Sequence, residues 1–189
     1  MVRLRKFCSY QKIERPYTRI SKYKKQSYVK ARPHMSIVRF EHGDPRSAFD
    51  ITLNLVSLKD TQIRHNALES ARQTSNRVFE KALGKSGYFL RLRKYPFHIL
   101  RENAMATGAG ADRMSQGMQL SFGKPISSAA QVFVGEILFE VRVDRKNSKL
   151  AKLALNRARK KLPGKFRIIE VSQVRKTASP SAGAAPAAA

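Results

Sequence analysis

The first thirty-five residues combine the two kinds of side chain that bind nucleic acid. Four of the six tyrosines of the chain lie there, among closely spaced lysines and arginines. An aromatic ring can stack on a base while a neighbouring cation contacts a phosphate. Residues 1–35 are therefore predicted to be an extended arm that becomes ordered on RNA, and a plain solvated basic tail, which has little use for tyrosine, is the alternative. The expected contacts are Arg3, Arg5, Lys6, Tyr17, Arg19, Lys22, Tyr23, Lys24, Lys25, Tyr28, Lys30 and Arg32.

The charge of the chain is distributed very unevenly. The 189 residues carry a net charge of +25. Residues 1–39 hold twelve basic residues against one acid, residues 142–167 eleven against one, and residues 40–141 only thirteen against ten. Self-repulsion on this scale destabilises a compact state unless a polyanion neutralises it. The pattern predicts a folded body with two cationic surfaces for nucleic acid.

No constellation for catalysis or metal binding is visible. The four histidines, His34, His42, His65 and His98, are far apart, and none forms a metalloprotease motif. The single cysteine, Cys8, excludes a disulfide within the chain and a paired-cysteine metal site, and suits a reducing cytosol. No signal peptide or membrane span is predicted. We therefore expect no enzyme, no metal, no cofactor and no membrane partner.

A glycine-punctuated segment, 101–124, is the main irregular part of the body. It contains Gly108, Gly110, Gly117 and Gly123 but has no Gly-Lys-Ser or Gly-Lys-Thr sequence of a phosphate-binding loop, and residues 103–106 before Gly108 are not an apolar strand. A nucleotide-binding enzyme and a surface loop without a task are the alternatives. Long loops inside compact domains are often functional, and small residues allow a partner to approach closely. We therefore predict a functional loop.

The remaining pattern predicts one α+β domain, residues 36–171, with a mostly antiparallel sheet and two helices. Alternating or apolar runs predict strands at 36–40, 49–56 (half-buried), 88–93 with a resumption at 97–100, 131–134, 136–143 and 166–171. Helical spacing predicts helices at 61–83, begun by Asp60 or Thr61 and ended by Gly84, and at 148–162. Residues 172–189 form a low-complexity Ala/Pro tail.

The second helix and one strand extend the cationic surface. Leu150, Leu153, Ala154 and Ala158 are predicted to face the core, which leaves most basic residues outside. The outward residues expected to bind RNA are Arg91, Arg93, Lys149, Lys152, Arg159, Lys160 and Lys161.

Several segments resemble a universal large-subunit ribosomal protein family, called L sixteen in bacteria and L ten-e in archaea and eukaryotes. The similarity extends over residues 36–171 and is carried by 65–77, 90–103, 105–113, 117–118 and 122–125. The sequence Ala-Thr-Gly-Ala-Gly at residues 106–110 resembles that of archaeal members. The chain departs from the family pattern at Ala104, where a lysine is usual.

The resemblance implies an α/β-hammerhead-like fold and a structural role in the large subunit. It implies binding to ribosomal RNA beside the path by which aminoacyl-tRNA enters, with neighbouring ribosomal proteins, tRNA and possible assembly factors as partners. It also implies that the loop reaches tRNA acceptor ends near the peptidyl transferase centre. The loop residues concerned are Arg101, Asn103, Met105, Thr107, Gly108, Gly110, Asp112, Arg113, Gly117 and Met118. A free RNA-binding module acting on many RNAs is the rival.

Overall fold

A five-stranded antiparallel sheet forms the centre of the computed structural model, which describes residues 4–18, 22–27, 29, 31–103, 105–106, 108–115, 117–119 and 122–172. In spatial order its strands are Glu41–Gly43 (β1), Phe89–Leu92 (β4), Ile137–Val143 (β7), Ile51–Ser57 (β2) and Phe166–Ser172 (β8). Every neighbouring pair is antiparallel. Together with two long helices, this arrangement confirms the predicted α+β class.

A second, three-stranded antiparallel sheet carries the loop. Its strands, in spatial order, are Thr61–Arg64 (β3), Lys124–Val132 (β6) and His98–Glu102 (β5). The prediction that residues 97–100 resume the preceding strand is wrong, since β5 belongs to this other sheet. Pro96 explains the change, because proline cannot continue a ladder of backbone hydrogen bonds.

Two helices lie side by side along the core. They are His65–Leu83 (α1) and Ser148–Arg159 (α3), and a single helical turn, Ala111–Met114 (α2), lies in the loop. Gly84 ends α1 as predicted, with φ +69° and its N–H bonded to the Glu80 carbonyl. The second helix begins at Ser148 as predicted but ends three residues earlier than expected.

The predicted start of the first helix is wrong. Thr61–Arg64 pairs with β6 as a strand, and α1 begins only at His65. The Asp60 carboxylate accepts a hydrogen bond from the Val134 N–H at 2.8 Å and caps no helix. Pairing across the small sheet therefore overrides the helical spacing of this segment.

The faces of the two helices differ slightly from the prediction. Leu68, Ala71 and Phe79 of α1 are fully buried, and the Phe79 ring stacks on Tyr88 with centroids 5.0 Å apart. In α3 the buried residues are Ala151, Ala154, Leu155 and Ala158. Leu153, predicted to face the core, is 47% exposed, because the buried face of α3 is formed by Ala151, Ala154, Leu155 and Ala158 and Leu153 lies beside this face.

Three strand predictions also need correction. Residues 36–40 are not a strand, since the Ser36 N–H donates to the His65 ring at 3.1 Å instead of to a neighbouring strand. The strand β2, predicted to be half-buried, is almost wholly buried, since β7 and β8 flank both its edges and α3 packs against it. The strand β6 spans 124–132 and not 131–134, because the small Ser and Ala residues in its first part give no strand pattern in the sequence.

Candidate nucleic-acid interface

Cations on α3 and in the turn that follows it form a group that we call the α3 surface: Lys149, Arg159, Lys160 and Lys161. All four side chains are exposed, and none forms an ion pair within the described part of the chain. Lys152, predicted with them, instead pairs with Glu170 at 2.7 Å. Further exposed cations of this region, absent from the predicted set although they lie in the basic stretch 142–167, are Arg145, Lys146, Arg157, Lys165 and Arg167.

The two strand arginines differ from the α3 surface because acids accompany them. Arg91 pairs with Glu41 at 3.1 Å, and Arg93 pairs with Glu140 at 2.8 Å. Burial alone would raise the pKa of Glu140, but hydrogen bonds from Arg93 and Arg142 outweigh it and hold that pKa below its usual range. Arg91 and Arg93 are thus half-exposed but already paired, and their RNA contacts stay a prediction.

Part of the arm folds onto the small sheet of its own chain. Glu102, at the end of β5, forms an ion pair with Arg5 and accepts a hydrogen bond from the Tyr10 hydroxyl at 2.9 Å. The Gln62 amide donates to the Tyr10 carbonyl at 2.9 Å. Tyr10 is only 9% exposed and therefore offers no face to a base, contrary to the expectation for the arm tyrosines.

Tyr17 anchors the next part of the arm to β5. Its N–H donates to Nδ1 of His98 at 2.9 Å, and its carbonyl accepts from the Ile99 N–H at 3.2 Å. The His98 side chain is almost fully buried beneath this contact. The arm is thus attached at the start of β5, the strand that leads into the loop.

Arg101 contacts two aromatic rings at the base of the loop. Its guanidinium carbon is 4.6 Å from the centre of the Tyr17 ring and 4.2 Å from that of Phe122. The two rings meet edge to face with centroids 5.7 Å apart. Such cation–π contacts hold a cation in place without neutralising it. Phe122, which the sequence reasoning missed as a site residue, thus joins arm, Arg101 and loop.

The loop leaves β5 at residue 103 and returns to β6 at residue 124. The Asn103 amide donates to the Gly117 carbonyl at 3.3 Å across the loop. Met105 and Met118 are 46% and 71% exposed, and Arg113, in the turn α2, is exposed. Gly108, Gly110 and Gly117 adopt positive φ angles of 133°, 76° and 57°. The loop therefore projects exposed apolar and cationic side chains from a closed base.

The other predicted arm and loop residues divide into two groups. Exposed ones are Lys6, Lys22, Tyr23, Lys25 and Arg32. Arg3, Arg19, Tyr28, Lys30 and Thr107 lie outside the described residues, as do the side chains of Lys24 and Asp112.

Comparison with known proteins decides the family. The model of the family described as "Ribosomal protein L16p/L10e" matches residues 18–169. The chain belongs to the L16p/L10e family. It is 45% identical to the large ribosomal subunit protein uL16 of Staphylothermus marinus over 82% of this chain and 90% of that protein. It is 46% identical to the protein of the same name in Thermofilum pendens, over 82% of this chain and 88% of that protein. It is 42% identical to the one in Archaeoglobus fulgidus, over 85% of this chain and 88% of that protein.

Membership of the L16p/L10e family confirms the resemblance found in the sequence, including its archaeal character. The chain is a structural component of the large ribosomal subunit and not an enzyme, with ribosomal RNA and other ribosomal proteins as partners. Across the described ranges, no three histidine, cysteine or acidic side chains are grouped to hold a metal ion. No helix in the same ranges is long and apolar enough to cross a membrane.

The bond between Tyr17 and His98 predicts an acid-sensitive arm in this L16p/L10e protein. Burial lowers the pKa of His98, Arg101 lowers it further, and Glu14 offsets part of the effect. The unfolded chain therefore binds a proton at a higher pH than the folded chain. Stability from the neutral ring is fully present above the unfolded pKa of about 6.5 and is lost as the pH falls through the lower folded pKa.

We expect the thermal midpoint to fall between about pH 7.5 and pH 5.5. His98→Asn keeps an acceptor for the Tyr17 N–H but cannot be protonated, so its midpoint should fall less over the same interval. Identical pH profiles for the two proteins would exclude His98 as the titrating group. Burial also lowers the pKa values of His42 and His65. Both proteins contain these two histidines, so their contributions cancel when one pH profile is subtracted from the other.

Proposed function

We propose that this chain is held on large-subunit ribosomal RNA by its arm and its α3 surface, and that loop 101–118 reaches toward the acceptor ends of tRNA by the peptidyl transferase centre. The observation that carries the RNA part is the contrast between cations. Those on the strands, such as Arg91 and Arg93, already have carboxylate partners, whereas Lys149 and Lys160 have none among the described residues. Unpaired cations are the ones free to neutralise phosphates.

The physical basis of the RNA contact is the release of counterions. Each phosphate that a lysine or arginine neutralises frees a condensed cation from the RNA, which makes the affinity strongly dependent on salt. The deep, narrow major groove of an A-form helix cannot be read by side chains, so such a helix is recognised mostly by its shape, its phosphates and its 2′-hydroxyls. A helix face of unpaired lysines and arginines therefore suits backbone recognition by shape and charge.

The loop is suited to position a nucleic-acid end rather than to transfer protons. Its described side chains include amide, thioether and guanidinium groups, exemplified by Asn103, Met118 and Arg113. Exposed Met105 and Met118 can pack against a base or sugar, and Arg113 can contact a phosphate. Because Arg101 contacts Tyr17 of the arm and Phe122 at the return of the loop, the two ends of the loop are held together at its base.

Arg113→Ala in assembled large subunits tests the role of the loop. The side chain is exposed and makes no ion pair within the described residues, so assembly should proceed normally. Loss of a phosphate contact should slow peptide-bond formation by up to about tenfold, equivalent to about 1.4 kcal/mol. The measurement is single-turnover peptidyl transfer with several different tRNAs.

Lys85→Ala is the matched control, since Lys85 is exposed and follows α1, outside the loop. It should leave the rate unchanged. If Arg113→Ala also leaves the rate unchanged with every tRNA, the loop does not position tRNA through this residue and that part of the proposal fails.

A further inference from the structure

A groove of about 640 Å³ runs between α1 and α3. We call it the α1–α3 groove. Its aliphatic floor is Val78, Ala82 and Leu150, and its rim carries Arg77, Lys81 and Arg157. The floor residues Val78 and Leu150 pack against the hydrophobic core. The groove is therefore formed by the packing of the two helices and does not depend on the conformation of a loop.

The rim of the groove is cationic, and none of the residues that line the groove is acidic. Glu80, which lies near Arg77 and Lys81 on α1, accepts a hydrogen bond from the Asn76 amide at 3.3 Å. None of Arg77, Lys81 and Arg157 forms an ion pair where the structure is described, although other cations of the same helices do: Arg72 pairs with Glu69, and Lys152 with Glu170. All three side chains are exposed. The charge of the rim therefore calls for a negatively charged occupant.

The floor of the groove calls for an apolar occupant. It offers aliphatic surface, and Leu153, one turn along α3 from Leu150 and 47% exposed, extends that surface. RNA bases are usually held by aromatic rings or guanidinium planes, with phosphates on the cations, and an aliphatic floor adds little to such contacts. A peptide segment that places one or two aliphatic or aromatic side chains between acidic ones satisfies both floor and rim.

We propose that the α1–α3 groove binds an acidic, apolar-anchored segment of a neighbouring protein in the large subunit. The volume accommodates a few side chains and not a whole helix, whose diameter is about 10–12 Å. The segment therefore inserts its anchors into the groove while its carboxylates meet Arg77, Lys81 and Arg157. This contact uses side chains outside the α3 surface and does not depend on the proposed roles of arm and loop.

The test is a photocrosslinking amino acid placed at Ala82, an exposed floor residue, in cells whose large subunits carry the altered chain. The expected product in purified large subunits is one crosslinked peptide from another subunit protein, with aspartate or glutamate beside an apolar residue. The triple variant Arg77→Ala, Lys81→Ala and Arg157→Ala should lower the yield about tenfold. Alanine keeps all three positions helical, so folding should be preserved.

The same crosslinker at Val38, which is 82% exposed and outside the groove, is the positional control and should give a different product. A crosslink from position 82 to ribosomal RNA overturns the proposal in favour of a nucleotide. Absence of a crosslink in assembled subunits, or a product seen only with unassembled chain, also overturns it. A yield unaffected by the triple variant rejects recognition by charge.

Discussion

Replacing three unpaired cations of the α3 surface, Lys149, Arg159 and Lys160, by alanine should weaken binding to large-subunit ribosomal RNA and flatten its salt dependence. The logarithm of affinity falls with the logarithm of salt concentration by about 0.9 for each neutralised phosphate of a duplex. If each side chain contacts one phosphate, the slope should decrease by about three units. The measurement is a salt titration of binding to deproteinised large-subunit RNA.

A control variant with the same loss of charge separates specific contacts from net charge. Arg46, Lys59 and Lys85 are exposed and lie outside the arm, the loop and the α3 surface, so their joint replacement by alanine also removes three positive charges. The control should change the slope by much less than the α3 variant. Equal slopes for the two variants would mean that the chain binds RNA through overall charge and that the α3 surface has no special role.

Gly123→Ala should open the base of the loop. A Cβ atom at this position would lie 2.5 Å from the Glu102 carbonyl carbon and 2.8 Å from the Asn103 backbone nitrogen. Both neighbours are backbone atoms, which cannot rotate away, so the two stems must separate. Overpacking of this kind costs about 1–3 kcal/mol in the free energy of unfolding. The separation should also release the contact of Arg101 with Phe122.

Two measurements detect the opening of the loop in Gly123→Ala. Urea unfolding reports the free energy, and limited proteolysis between residues 103 and 122 reports local opening. Lys124→Ala, one residue away and exposed, is the control and should leave both unchanged. Wild-type stability and wild-type cleavage in Gly123→Ala would show that the stems do not approach each other as closely as described.

Local signals in the sequence were sufficient for the long elements. Alternation predicted β4 and β7, and the glycine after Leu83 predicted the end of α1, because these features depend on neighbours along the chain. The same reasoning failed at Thr61–Arg64, where pairing with residues 129–132, which are 65–71 positions away in the sequence, overrides the helical spacing. The small residues of β6 gave no alternating signal at all.

The site was predictable only in its parts. The loop could be found from its glycines and from the resemblance to the L16p/L10e family, and the α3 surface from its density of lysine and arginine. The attachment of the arm could not, because it depends on Glu102 and His98, which are remote in sequence and carry no signal of their own. Whether a cation is paired also requires the fold, as Lys152 and Lys149 show.

The most direct test of the account is a residue-level crosslink map of this chain in intact ribosomes carrying tRNA. We expect crosslinks from the α3 surface to a few segments of large-subunit RNA. We also expect crosslinks from loop residues 101–118 to the tRNA acceptor end or to RNA of the catalytic centre. Crosslinks scattered over many messenger and transfer RNAs, with none from the loop to either target, would contradict it.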